Sequence, residues 1–378
     1  MKNRLVFVDL LRGWATIVMI EVHVFNAFLI SGFKETQWFG ILNFVNGLVA
    51  PSFLFVAGFV FVIASDRKLE EFRTYGKAFW RQLSRIGLIW VIGYGLHLPF
   101  FSLTRTLYES SSAQWLSFSQ SDILHCIAIG MLSIFLGRIF IKSDKLYQWF
   151  LVAVGSIAVL VAPLIWDIDF YSILPAMFAG YLDGKSHSLF PLFPWLGFLM
   201  FGAVTAFAFK NARGLGKDKE YFTRLSIIGA ALLIVGSLLV ELPSQLSGIS
   251  VAARANPLFF ASRLGIIFLM LTSCWVYAER RRTERSFVLD VSKESLLVYT
   301  LHLLVIYGEY WSSKSLDHWW GGTLSVSQCA LWTLGLMAAM IIVAKAWSYI
   351  KQTSMPWARY ISYATGILLL IVFIVKKS

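Results

Sequence analysis

Four of the six histidines, His23, His97, His125 and His302, stand in strongly apolar surroundings, and each has another polar group close by in the sequence. An imidazole is near neutral at physiological pH and can take or give a proton there, so the chemistry this set suggests is general acid–base catalysis or proton relay. In "DLLRGWATIVMIEVHVFNAF" (9–28), a rotation of about 100° per residue puts Asp9, Arg12, Thr16 and His23 on one helix face, with Asn26 at its edge and Glu21 and Trp14 roughly opposite. In "DILH", Asp122 and His125 share a face, where a carboxylate could orient an imidazole. "SLLVYTLH" sets Tyr299 one turn before His302, and Arg263 is a cation in a further apolar run. Asn26, Tyr299 and His302 are candidate donors to an oxyanion.

Each of these has a plainer reading. A single buried histidine is commonly a hydrogen-bonded packing residue, and Asp9 and Arg12, three apart, can pair simply as an anchor. Asp122 and His125 lack a third ligand for a metal, and no metal is expected. Cys126 lies in an apolar run where nothing lowers its pKa, which argues against a thiolate nucleophile. The chemistry, if there is any, rests on the histidines meeting.

The elements that must carry them are membrane helices. The 378 residues are 58% hydrophobic and 14% charged, with a mean hydropathy of +0.69. Apolar runs of about 20 residues, the length that crosses a hydrocarbon core of about 30 Å, recur from end to end. The expected fold is all-α and polytopic, with eleven spans at about 7–30, 41–64, 82–102, 122–141, 146–166, 190–209, 224–242, 257–279, 293–311, 325–349 and 357–375. The alternating ten-residue segments of a membrane β-barrel are absent. No hydrophilic segment is long enough for a separate soluble domain, so 1–378 reads as one membrane domain. The run 170–182 is too short to span and reads equally as a re-entrant helix or an interfacial loop.

The formal charge of +12 is distributed as topology requires. A cytoplasmic N-terminus and an extracytoplasmic C-terminus put the basic clusters at 67–85, 210–224 and 280–285 inside. That accounts for the charge without nucleic acid, and a site for an anionic cytosolic ligand is a second reading. The same topology places His23, His97, His125 and His302 in the outer halves of four spans and His187 and His318 in outer loops. The three cysteines have no paired spacing. Phosphate-loop, nucleophile-elbow, zinc-protease and dinucleotide signatures are missing.

At these residues the sequence resembles the heparan-α-glucosaminide N-acetyltransferase catalytic-domain family. The resemblance is carried by Asp9, Arg12, Gly13, Met19 and His23, then Pro51, Phe53, Phe55 and Gly58, then Asp122 and Leu124, then Pro194, Trp195 and Gly197, and finally Ser295, Leu296, Tyr299 and His302. It implies acetyl-CoA as a cytosolic donor and an extracytoplasmic amino sugar or glycan as acceptor, in a multi-pass protein of the bacterial inner membrane surrounded by lipid. The family's lysosomal enzyme has a histidine in its first extracytoplasmic loop. The corresponding loop here, "ISGFKETQWFGILNF", has none, which moves the catalytic histidine to His23 or His302.

On this reading the donor's nucleotide end sits at the inner mouth near Arg12, with its partner Asp9, and near Arg81 and Arg85. His23 acts as general base beside His302, Asp122 orients an imidazole such as His125 or binds the sugar, and Asn26, His97, Arg263 and Tyr299 line the acceptor's place. A proton-coupled transporter of a small solute and a non-catalytic scaffold remain as alternatives, and a homodimer is compatible with the sequence.

Overall fold

The computed structural model describes residues 5–182, 184, 188–242, 245, 252–281, 286–308 and 315–376. His187, Glu309 and Trp311 fall outside these. The described residues form helices and no strand; one isolated parallel bridge joins Leu29 to Leu324. The principal helices are α1 (Val6–Phe28), α2 (Val49–Ser65), α3 (Lys77–Leu96), α4 (Ile123–Phe140), α5 (Asp144–Ile165), α6 (Leu192–Gly214), α7 (Asp218–Leu238), α8 (Pro257–Arg281), α9 (Ser295–Tyr307), α10 (Val326–Thr353) and α11 (Met355–Val375).

Eight stretches are long and apolar enough to cross a membrane: Gln37–Arg73, which contains α2, and α4, α5, α6, α7, α8, α10 and α11. The chain is therefore a multi-pass membrane protein. Helices α1, α3 and α9 occupy the other three expected segments. The first carries Asp9, Arg12 and Glu21, the second Lys77, Arg81 and Arg85, and the described part of the third is short.

Two expectations shift in detail. Helices α3 and α7 start several residues before their apolar runs, because the polar segments "KAFWRQLSR" and "DKEYFTR" are themselves helical; the acidic Asp218 and Glu220 in the first turn of α7 favour its start. The run 170–182 is neither one re-entrant helix nor a featureless loop, but a 3₁₀ turn at Phe170–Ser172 and a single turn at Ala176–Ala179.

The chain divides into two compact units. One, Ala50–Tyr94 with Ser119–Arg280, holds nearly all of α2 and α3 together with α4–α8. Its backbones approach through small residues. A methyl on Gly58 would overlap the carbonyl of Leu199, and one on Gly202 would overlap that of Phe55, so α2 and α6 meet at a reciprocal pair of glycines. Near the end of α4, Arg138 is only 2% exposed. It is held by Asp144 at 2.6 Å and Asp66 at 3.8 Å, and its guanidinium lies 5.1 Å from the Tyr147 ring. Lys210 also pairs with Asp66.

The other unit is Met1–Val49, Gly95–Phe118 and Arg281–Ser378. Helix α1 packs here against the short helix Phe287–Lys293, α9 and α10. At its C-terminal end Gly322 donates to the Ala27 carbonyl at 3.0 Å and Leu324 to that of Phe28 at 2.8 Å, while Ile30 donates back to Leu324 at 3.0 Å. Glu294, between the short helix and α9, is pinned by Lys351 of α10 at 2.7 Å.

Candidate histidine site

In the unit built on α1, the rings of His23 and His302 lie 5.1 Å apart, centroid to centroid, tilted by 53°. The apolar run of α9 buries His302 completely. Its Nδ1 is 2.7 Å from the carbonyl of Val298, one turn earlier. A carbonyl can only accept, so the hydrogen sits on Nδ1 and Nε2 keeps a lone pair. That Nε2 is buried and has no hydrogen-bond partner among the described residues. A buried acceptor left without a donor costs about 1–3 kcal/mol, and such atoms call for an explanation. A base awaiting a substrate proton is one.

His23 is half-buried beside it. Tyr299 packs edge-on to His302 at 5.9 Å and Tyr307 edge-on to His23 at the same distance. The Tyr307 hydroxyl donates to the His23 carbonyl at 3.4 Å. Tyr307 did not stand out in the sequence, where it is one tyrosine at the end of an apolar run. Its place five residues beyond His302 put it within reach of the same level.

Eleven residues before His23, about 16 Å along the helix, Arg12 bonds the Asp9 carboxylate at 2.8 Å. Its Nε donates to Ser292 Oγ at 3.0 Å, and Ser292 is fully buried. Thr16 donates to the Arg12 carbonyl at 2.8 Å. Opposite this face, Trp14 is exposed and Glu21 accepts from Asn46 at 3.4 Å. The side chain of Asn26 is exposed, and its carbonyl accepts from Lys34 at 2.7 Å. His97 is half-buried in the turn after α3.

In the other unit Asp122 and His125 pair through a capping box. The Asp122 carboxylate accepts from the first backbone N–H of α4, and the Asp122 N–H donates to His125 Nδ1 at 3.2 Å. His125 is fully buried, with the Tyr94 ring 4.1 Å away. Tyr94 and Trp90 both reach the Tyr181 hydroxyl, at 3.1 and 2.8 Å. Tyr181 lies in the loop between α5 and α6, and burial pushes its phenol above the usual range. Arg263 is 6% exposed with its guanidinium 4.7 Å from the Phe259 ring. Arg81 and Arg85 are exposed on α3. Among the described residues, no group of three or more His, Cys, Asp or Glu side chains is placed to hold a metal ion.

Two clusters thus come together within their own units: His23, Tyr299, His302 and Tyr307 in one, and Asp122 and His125 with Tyr94 and Tyr181 in the other. The first has a ring nitrogen, His302 Nε2, that keeps a lone pair and has no hydrogen-bond partner among the described residues, and a lone pair is what taking a proton from an attacking nucleophile requires.

No curated protein matches the chain. The family model for the catalytic region of heparan-alpha-glucosaminide N-acetyltransferase matches residues 4–243. The match takes in the Asp9–Arg12–Gly13 motif with His23, the Pro51–Gly58 stretch, Asp122 and Trp195. It ends before α9, so the place of His302 beside His23 is contributed by the fold. Matching well over half of the 378 residues, it assigns the chain to the heparan-alpha-glucosaminide N-acetyltransferase catalytic family, a family of membrane acyltransferases.

Proposed function

We propose that this protein moves an acetyl group from cytosolic acetyl-CoA to an extracytoplasmic amino sugar or glycan, with His302 as general base. The observation that carries the reading is the His23–His302 pair, with His302 held in the tautomer that leaves a lone pair on Nε2. The acceptor's amine or hydroxyl attacks the thioester carbonyl while Nε2 takes its proton. The new bond to carbon forms, the carbon–sulfur bond breaks, and the proton returns to the departing sulfur. A positioned base contributes typically ~10²–10⁴-fold. His23 and the Tyr299 and Tyr307 rings wall the site, and positioning supplies much of the remaining acceleration.

The same reading takes 1–378 as one acyltransferase domain of eleven spans in the bacterial inner membrane, with the N-terminus cytoplasmic and the C-terminus outside. Arg81 and Arg85, exposed on α3 and within a basic cluster, suit the nucleotide end of the donor. Asp122 is assigned to orienting the His125 imidazole, and Asn26, His97, Arg263 and Tyr299 remain the candidates for binding the acceptor.

Proteoliposomes loaded with acetyl-CoA and bathed in glucosamine test this directly. N-acetylglucosamine should accumulate outside, and His302→Gln should stop it. A folded protein that neither forms product with a panel of amino sugars and glycans nor shows a thermal shift with millimolar acetyl-CoA would overturn the reading. A ligand at 100 times its Kd stabilises by about 2.7 kcal/mol, so binding is visible even without turnover.

A further inference from the structure

Asp9 and Arg12 were expected at the donor's mouth, and in the fold they also make contacts within the protein itself. Arg12 Nε donates to Ser292 Oγ at 3.0 Å across 280 residues of sequence. Asp9 holds the far side of the guanidinium at 2.8 Å. One residue on, Gly13 lies so close to the short helix that a methyl there would overlap the carbonyl of Val288. Val288 and Ser292 are one turn apart on Phe287–Lys293, so α1 is fixed to that helix at two successive points, one by hydrogen bond and one by backbone contact. Ser292 is fully buried, where the loss of a hydrogen bond to a charged group is felt most.

From this double contact both stretches of chain lead to the histidine pair. Eleven residues separate Arg12 from His23, and ten separate Ser292 from His302. The second path turns at Glu294, whose backbone is not helical, and Lys351 holds that turn in place. Nearly equal lengths of chain, anchored at one level, bring the two imidazoles to one level at the other end.

We infer that Arg12 and Gly13 with Ser292 and Val288 form a register clamp, which sets the depth of His23 against His302 from about 16 Å away. Arg12 and Ser292 are positioning residues: they act through the histidine pair and touch neither donor nor acceptor. The inference rests on the acyltransferase reading for its kinetic consequences, but its geometric consequence is independent of that reading.

The test uses the full-length detergent-purified protein and acetyl-CoA with the acceptor found active. Ser292→Ala should lower kcat by about 10–100-fold, since a misplacement of about 1 Å is worth that much. The KM for acetyl-CoA should stay within about twofold, and the acidic limb of the pH–rate profile should move as the two rings separate. Ser292→Thr, which keeps the hydroxyl, should recover most of kcat.

An independent arm places spin labels at Asn26→Cys and Val305→Cys, both exposed near the outer ends of α1 and α9, with Cys274→Ser in the background. Ser292→Ala and Gly13→Ala should shift or broaden the distance distribution. Unchanged distances in both variants overturn the clamp. So does a Ser292→Ala protein with wild-type kcat, or an Arg12→Gln protein whose only defect is a tenfold rise in acetyl-CoA KM, which would make Arg12 a donor ligand. If His302→Gln is fully active while the distances shift, the clamp stands and the proposed function fails.

Discussion

The Nδ1–H of His302 is donated to the carbonyl of Val298, one turn back on the same helix, at 2.7 Å. The partner is backbone, so no change of side chain at that position removes it, and the ring is locked in one tautomer as long as α9 stays helical. His302→Gln keeps polarity but has no basic nitrogen. It should lower kcat by ~10²–10⁴-fold with the acetyl-CoA KM little changed. Steady-state kinetics on the purified variant decide this, and a loss below about threefold would remove His302 from the base's role.

Gly58 faces the Leu199 carbonyl so closely that any Cβ must displace backbone. Gly58→Ala should destabilise the protein by about 1–3 kcal/mol, the usual cost of overpacking. Gly95, also within a helix, has open space around its Cα, so Gly95→Ala should be neutral or stabilising by up to about 1 kcal/mol. Thermal melts of the two variants in the same detergent should move in opposite directions or differ clearly in size.

Asp144→Asn removes one of the carboxylates that neutralise the buried Arg138. The loss of a charge-assisted hydrogen bond predicts a cost of about 1.5–3 kcal/mol. The exposed pair Arg224–Glu220 supplies the comparison, with Glu220→Gln costing about 0–1 kcal/mol. Equal effects from the two changes would show that Asp66 alone suffices to compensate Arg138.

Asp317 sits in the short helix Leu316–Trp320 before α10, where burial raises its carboxyl above the ordinary range and the charge of Lys34 offsets part of the rise. A raised carboxyl favours the protonated form in the fold, so the charge works against stability above the raised pKa. Stability should improve as pH falls through that value and level off below the ordinary one. Asp317→Asn should therefore match or exceed wild-type stability at neutral pH, with the difference closing in acid. A melt series from neutral pH down into the range below the ordinary carboxylate value measures it, and a variant less stable at neutral pH would reverse the sign.

Much of this was legible in the residues. Apolar runs placed every principal helix, because in a bilayer the cost of exposed backbone leaves a segment of that length little alternative to helix. The face carrying Asp9, Arg12 and Thr16 followed from rotation alone, and so did the pairing of Asp9 with Arg12. The meeting of His23 with His302 could be suspected only from depth, since no local pattern records which helix lies beside which. Ser292 was invisible for the same reason: one small hydroxyl among many gains meaning only from the guanidinium that reaches it. The Asp122–His125 spacing was read correctly as one face, but the contact that forms uses the backbone N–H of Asp122, since a helix start has donors to satisfy there.

The ties between α1 and the later helices also set an order of events during synthesis. Arg12 waits for Ser292, and Leu29 for Leu324, across some 280 residues or more of chain not yet made. At about 5–20 residues per second this is a delay on the order of 15–60 s. Through that interval the first helix carries Asp9, Arg12, Glu21 and His23 in or beside the bilayer without the partners that complete its site. A helix made some 280 residues before its partner is thus among the last to be finished, and a chain released before residue 292 carries its catalytic-family motif with nothing to clamp it.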